Sequence, residues 1–263
     1  VDTTRVLLGA GVPIHELNCV RKHLSAVKGG RLALATPGRV LTLAISDVVS
    51  PIENDPSVIG SGPTVGDETT FTEALAIVDR PGIRERVPPG VFKLLQRGRD
   101  GLVSETMQDG NLLPERSMYR VIGSRREAMD GALLTARKLG YQAIAINGAI
   151  EGEARVVGGN HPERVFAAAQ QLMAPRCVVS SGETTVNVSG NGRGGRNQEL
   201  ALAALSEMSR LGSSAVLASV GTDGVDGPTD AAGAMVDSTT AIRASALGLT
   251  SPESYLAENN AYA

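Results

Sequence analysis

The sequence has 263 residues, 25 basic against 28 acidic side chains, a formal net charge of −3 and 31 glycines; 42% of residues are apolar and 3% aromatic. That balance leaves no cationic excess to displace counterions from a nucleic acid and few rings on which to stack bases, so nucleic-acid binding is excluded. No run approaches the roughly 18 apolar residues that span a bilayer, and the apolar content is too ordinary for disorder, so a cytoplasmic α/β protein with no membrane partner is expected. Cys19 and Cys177 lie far apart and outside any zinc spacing, which reads as two reduced thiols. Val1-Asp2-Thr3 at one end and Asn260-Ala261-Tyr262-Ala263 at the other do not resemble natural termini.

In chain order, 14–34 reads as helical and carries the basic residues Arg21, Lys22, His23 and Lys28. The apolar run 40–45 is a strand closing on Ser46-Asp47, and a Pro/Gly-rich stretch over 50–118 holds short helices near 72–79 and 91–97. A boundary between two α/β domains falls in 90–118, drawn at 105/106. A strand at 119–122 leads to Ser124, which with Glu127 forms a capping-box signature. Ala128, Ala132, Leu133, Ala136 and Leu139 then repeat at helical spacing until Gly140, and 141–146 is a strand. Strand, helix and strand in that order predict a βαβ unit and a parallel sheet. Downstream come a helix over 161–173, strands at 177–180 and 184–188, a helix over 197–211, a strand at 215–220, and a helix opened by Ser251-Pro252.

The segment Ser189-Gly190-Asn191-Gly192-Arg193-Gly194-Gly195-Arg196-Asn197-Gln198-Glu199 joins a strand to a helix. Glycines admit close backbone approach, a helix start carries partial positive charge, and two arginines add forked donors, so the loop suits phosphate. The plain alternative is a turn with solvated arginines. Gly190, Gly192 and Gly195 also match GxGxxG, but the dinucleotide fingerprint wants an acid about 20 residues on, whereas Asp223 stands 28 residues after Gly195. No Walker pattern is present. A second loop carries Asp223, Asp226 and Asp230, carboxylates suited to Mg²⁺ or to hydroxyl activation, although Asp-Gly pairs are also turn formers. A third cluster comprises Asp47, the turn Gly60-Ser61-Gly62-Pro63-Thr64, and the cations around Arg21 and Lys28, for which a solvated helix face is the default. Glu183, at a strand end, is a candidate metal or hydroxyl contact, while Glu151 and Glu153 read as surface carboxylates. Arginines, a glycine loop and strand-end aspartates together suit phosphoryl transfer, which asks mainly for positioning and charge neutralisation.

The motifs VRKHLSAVKGGRLA (20–33), LAISDV with DPSVIGSGPTVGDETTF (43–71), GETTVNVSGNGRGGRNQELALAA (182–204) and GTDGVDGPTDAAGAMVD (221–237) closely resemble the class II glycerate kinases, whose C-terminal domain is called MOFRL. The resemblance covers the whole chain in order. It implies a Rossmann-like first domain, of which 1–105 is the later part, and a MOFRL-type domain over 106–263, with mainly parallel or mixed sheets. It also implies ATP-dependent phosphorylation of D-glycerate to 2-phosphoglycerate with Mg²⁺ and small-molecule partners; the sequence does not fix the oligomeric state, and a homodimer is the assembly to test. Carried over residue by residue, Arg196, Asp223 and Asp47 are the expected catalytic groups. Gly192, Arg193, Gly194, Gly195, Asn197, Lys28, Arg21 and Ser61 are the expected substrate or phosphate contacts, and Asp223, Asp226 and Glu183 the expected metal set. Two departures are visible: Ser181 stands where the family has glycine, and 50–54 reads as a small insertion. The family also begins upstream of this sequence and continues past it, so the chain is expected to be an interior piece whose activity requires the missing segments. The rival readings are an NAD(P)H-dependent hydroxypyruvate reductase and a non-catalytic ligand-binding fragment.

Overall fold

The computed structural model describes residues 2–49, 52–108, 117–211 and 215–263. The chain divides into two compact units, Val1–Ser124 and Arg125–Ala263. Both mix helices with short sheets, giving an α/β protein with parallel pairs in each unit.

The first unit contains α1 (Asp2–Gly9), α2 (Ile14–Leu24), α3 (Arg31–Leu34), β1 (Val40–Ile45), α4 (Phe71–Val78), α5 (Pro89–Arg99) and β2 (Ser117–Gly123). Its core gathers Leu7, Leu17, Val20, Phe71, Leu75, Val78 and Leu95, each from one face of α1, α2, α4 or α5. Apolar residues at three- and four-residue spacing force those faces together. Helix α4 starts where the sequence chemistry dictates: Thr70 Oγ1 accepts the Glu73 N–H while Glu73 Oε2 accepts the Thr70 N–H at 2.7 Å. The helix expected over 14–34 stops at Leu24, where Ser25 turns extended at φ −104° and ψ 141°, and the chain then bends through Gly29 and Gly30 at positive φ of 58° and 75°. Their N–H groups donate to Ser61 and Gly62 carbonyls, and a Cβ on Gly30 would lie 2.8 Å from the Val65 carbonyl oxygen.

Strand β2 pairs in parallel with β1, from Val40 opposite Ser117 to Ala44 opposite Val121. The βαβ unit expected across 119–146 therefore does not form as a bonded pair. Its second strand, within β3 (Gln142–Glu153), pairs instead with β4 (Arg176–Thr185). Periodicity marks a strand but does not name its neighbour. Because β2 stays with β1, the division between units comes at 124/125, later than the boundary drawn at 105/106. Residues 109–116 of the expected boundary region, and Ser50 and Pro51 of the expected insertion, lie outside the described residues.

The second unit contains α6 (Arg125–Lys138), β3, α7 (Ala154–Ala169), β4, α8 (Arg196–Ala203), α9 (Leu205–Leu211), β5 (Val216–Val220), β6 (Gly233–Asp237), α10 (Thr240–Ala246) and α11 (Pro252–Ala257). The two strands expected at 177–180 and 184–188 merge into β4, and the helix expected over 197–211 is two helices divided at Ala204. The helix expected over 161–173 begins earlier, at Ala154, and tolerates Pro162 inside it. Strands β5 and β6 are antiparallel. The core is small: Ala201, Ala204, Leu205, Met208 and Val236. Helix α7 approaches α8 closely enough that a Cβ on Gly158 would lie 2.3 Å from the Leu200 carbonyl oxygen. Cys19 is buried and Cys177 half-buried, both as free thiols, and burial pushes the Cys19 thiol up to about 11. Among the described residues no helix is long and apolar enough to cross a membrane.

Candidate functional site

The two most informative loops of the sequence meet in the second unit. One follows β4 and ends at the start of α8; the other follows β5. Asp226 joins them. Its Oδ1 accepts the Asn197 N–H at 3.0 Å and the Asn197 side-chain amide at 3.1 Å, and its Oδ2 accepts the Gln198 N–H at 2.8 Å. The carboxylate thus caps α8 from another part of the chain and complements the positive end of the helix. Gln198 Nε2 donates to Thr229 Oγ1 at 2.9 Å, and Ser219 Oγ donates to Asn197 Oδ1 at 2.8 Å, so strand end and helix start are locked together. Asp226 is 1% exposed. Both its oxygens accept from the start of the helix, and Asn197 bridges Asp226 to Ser219.

The glycine loop is also engaged. Asn259 Oδ1 accepts the N–H groups of Ser189 and Gly190, each at 2.8 Å, and its Nδ2 donates to the Asn187 carbonyl. The Gly192 N–H donates to the Glu258 carbonyl at 2.8 Å, and the Arg193 N–H to Asn260 Oδ1 at 3.1 Å. These amides hold the segment 258–260 and are not free to cradle a phosphate. Glycine is required here by contact: a Cβ would meet Glu258 at 2.4 Å from Gly190, Asn260 at 2.4 Å from Gly192, and Asp226 at 2.3 Å from Gly195. Gly194 is less crowded, with the Ala261 nitrogen 3.0 Å from its Cβ position. The Arg193 guanidinium donates to the Pro228 carbonyl at 3.1 Å and stacks 4.9 Å from the centre of the Tyr262 ring, whose hydroxyl donates to Asp230. Arg193 therefore fastens the two loops to the segment after α11. Asn259, Asn260 and Tyr262 escaped the sequence reading because only the fold brings them against the loop.

Arg196 is different. It opens α8, its side chain is 43% exposed, and Nη1 meets Glu183 Oε1 at 2.7 Å. An exposed ion pair of this kind is worth little and is easily exchanged. Asp223 is exposed after β5, with Oδ1 accepting the Val225 N–H at 3.2 Å. Next to Arg196, Glu199 is buried and paired with Arg155 at 2.5 Å; burial pushes its carboxyl up while Arg155 opposes the shift. Among the described residues no group of three His, Cys, Asp or Glu side chains is arranged to hold a metal. Magnesium commonly needs only one or two protein carboxylates beside substrate phosphates; Asp223 and Asp230 are exposed on the loop after β5, and Glu183 is half-buried near the end of β4.

In the first unit, Asp47 is exposed just past the end of β1. Ser61, expected as a substrate contact, is 1% exposed and donates its hydroxyl to Asn18 Oδ1 at 3.0 Å. The same Asn18 oxygen accepts from Arg21 Nη1 at 3.3 Å, and Lys28 Nζ donates to the Gly60 carbonyl at 2.5 Å. The expected basic face divides sharply. Lys22 is buried and paired with Asp67 at 3.1 Å, and His23 is buried against Phe71 with Nε2 2.8 Å from Glu105. Asp67 and Glu105 were missed because nothing in their local sequence distinguishes them from surface acids.

Comparison with known proteins follows the same division. Residues 1–96 match a family model described as "Domain of unknown function (DUF4147)", and residues 176–263 match the MOFRL family. The chain is 40% identical to a protein of Pyrococcus horikoshii named glycerate 2-kinase, over 99% of this chain and 58% of that protein. It is 35% identical to a glycerate kinase of Macaca fascicularis over 98% of this chain and 74% of that protein. A protein of Agrobacterium vitis, 38% identical over 98% of this chain and 57% of its own length, is named a putative hydroxypyruvate reductase. A crystal structure titled glycerate kinase, from Thermotoga maritima, superposes with a TM-score of 0.82 at 38% identity, covering 98% of this chain and 59% of that one. The chain thus spans under two thirds of the first curated relatives it matches, at 58% and 59% of their lengths. With a DUF4147 segment followed by a MOFRL segment, and relatives of that name along almost all of its length, the chain belongs to the glycerate kinase family.

Proposed function

We propose that this chain serves an ATP-dependent glycerate 2-kinase, forming 2-phosphoglycerate from D-glycerate. The observation that carries the reading is Arg196: an exposed guanidinium on a rigidly braced helix start, held among the described residues by one exchangeable carboxylate, Glu183. In the proposed reaction the glycerate 2-hydroxyl oxygen attacks the γ-phosphorus of ATP, ADP leaves, and the hydroxyl proton passes to a carboxylate. Arg196 releases Glu183 and binds the transferring phosphoryl oxygens, where a forked cation neutralises charge that grows in the transition state. Asp223, exposed just past the end of β5, is the candidate proton acceptor. Mg²⁺, entering with ATP, would be held by Asp223 and Glu183 and would supply charge neutralisation to the phosphates. Asp226, Asn197 and Arg193 act by holding Arg196 in place.

The test is direct. Protein supplied with D-glycerate and MgATP is followed by ³¹P NMR; appearance of 2-phosphoglycerate with ADP supports the proposal. Oxidation of NADH by hydroxypyruvate with no ADP formed would favour the reductase and refute it.

A further inference from the structure

Arg155, in the first turn of α7, has no part in the proposed chemistry, yet it touches three other pieces of the second unit. Its Nη2 meets Glu199 Oε1 on α8 at 2.5 Å and donates to the Asn187 carbonyl, at the root of the glycine loop, at 3.4 Å. Its Nε lies 3.0 Å from Glu153 Oε1 at the end of β3. The contacts close into a ring. Asn259 Nδ2 donates to the same Asn187 carbonyl at 3.0 Å, Asn259 Oδ1 accepts the Ser189 and Gly190 N–H groups, and the Asn259 side chain also bonds the Glu199 carboxyl. Arg155, Glu199, Asn259 and the Asn187 carbonyl thus tie together α7, α8, the segment after α11 and the glycine loop.

Such a ring is costly to build. The Glu199 side chain is 3% exposed, so its partners must replace the hydration it has lost. Burial pushes its carboxyl up and Arg155 and Asn259 oppose the shift, while Glu153 adds to it. Two apolar side chains of similar volume would hold α7 against α8 at least as firmly. What they would not do is fix direction, which a planar fork bonded on several sides does. Arg196 and Glu199 are three residues apart, so they lie one above the other on neighbouring parts of the α8 surface. Asp226 grips the Asn197 and Gln198 N–H groups and fixes where α8 starts. Arg155 grips a side chain one turn further on, and so fixes how α8 is rotated about its axis. The two helices are in close contact at this level, where Gly158, one turn after Arg155, packs on the Leu200 carbonyl.

We infer that Arg155 is a positioning residue for Arg196: through Glu199 and Asn187 it sets the rotation of α8 and the seat of the glycine loop, and so the place from which the Arg196 guanidinium meets the transferring phosphoryl group. The catalytic half of this inference rests on the kinase reading; the bracing half rests on the ring.

The test replaces both buried partners at once, as Arg155→Met/Glu199→Met, because removing Arg155 alone strands a buried carboxylate. The unfolding midpoint is expected to stay close to that of the unaltered protein. Amide hydrogen exchange should be at least about tenfold faster at Ser189, Gly190, Asn197 and Gln198. Glycerate-dependent ADP release should show kcat lower by about 10²-fold with KM little changed, the scale and form of a misplaced group that acts in the transition state. Added to Arg196→Ala, the same pair of substitutions should cost less than about threefold, since nothing remains to be positioned. Arg155→Lys keeps a charge beside Glu199 but loses the fork, and should recover part of the turnover. Equal losses with and without Arg196, or unchanged exchange at the four amides, would overturn the inference. If the double variant does not fold, the same readings on Arg155→Lys decide between these outcomes. If the unaltered protein releases no ADP, the kinase reading is refuted, and the exchange rates alone support or overturn the brace.

Discussion

The turn at 60–62 and the loop at 190–195 are both rich in glycine, yet the residue serves different ends in them. At Gly60 and Gly62 the backbone is left-handed, and a Cβ on Gly60 would meet nothing closer than Pro63 at 3.7 Å. In the 190–195 loop the glycines avoid the positive-φ region, and the space for a Cβ is already filled by Glu258, Asn260 and Asp226. One loop needs glycine for its torsion angles and the other for its neighbours. A glycine-rich string between a strand and a helix looks like a ligand cradle, but here its amides bind the protein's own chain. Just beyond, Arg196 is exposed and paired with Glu183.

Substitutions test that contrast, and the largest effect is expected at the shared cap. Asp226→Ala strips α8 of its acceptor and leaves buried N–H groups unpaired, so urea unfolding should report a loss of about 3 kcal/mol. An unchanged midpoint would mean that the carboxylate does not brace the helix. Gly195→Ala comes next, since its Cβ would sit 2.3 Å from Asp226 Cγ; overpacking of this kind costs about 2 kcal/mol. Asn259→Ala removes the acceptor of two loop amides, at about 1.5 kcal/mol, and hydrogen exchange should speed up at Ser189 and Gly190. Gly60→Ala, limited to torsional strain, should cost about 1 kcal/mol. If Gly60→Ala proved more damaging than Gly195→Ala, the two loops would have been assigned the wrong reasons for glycine.

A smaller effect is expected from pH. Burial raises the carboxyl of Asp67, but the Thr69 hydroxyl and amide, together with Lys22, outweigh it and hold the group below its ordinary value. A depressed folded-state value means stability present above the ordinary carboxylate range of about 4 and lost as pH falls through the lower folded value. Thr69→Val should reduce that loss. An identical acid midpoint in the variant would show that Thr69 does not stabilise the charged form.

Much of the α/β class was legible because helix and strand periods are local properties. The start of α4 at Thr70 follows from chemistry within four residues, and the β1 strand from an unbroken apolar run. Strand partners were not legible: β2 pairs with β1 across more than seventy residues of intervening chain, and nothing local specifies that choice. For the candidate site, the two motif loops stood out in the sequence, and the structure brings them together through Asp226. Their internal roles were hidden because Asn259 and Asn260 reach them from some seventy residues away. Lys22 and Arg21, adjacent in sequence, end in a buried ion pair and an open cleft, a difference set by which side of α2 each occupies.

The most direct test of the central claim is glycerate-dependent ADP release by the protein and by its Arg196→Ala variant, with thermal unfolding recorded on both. The account predicts a turnover lower by about 10³-fold, the scale on which removing a charge-stabilising donor acts, with an unfolding midpoint close to that of the unaltered protein because the lost ion pair is exposed. Turnover that survives the substitution, or that disappears only together with the fold, would contradict it.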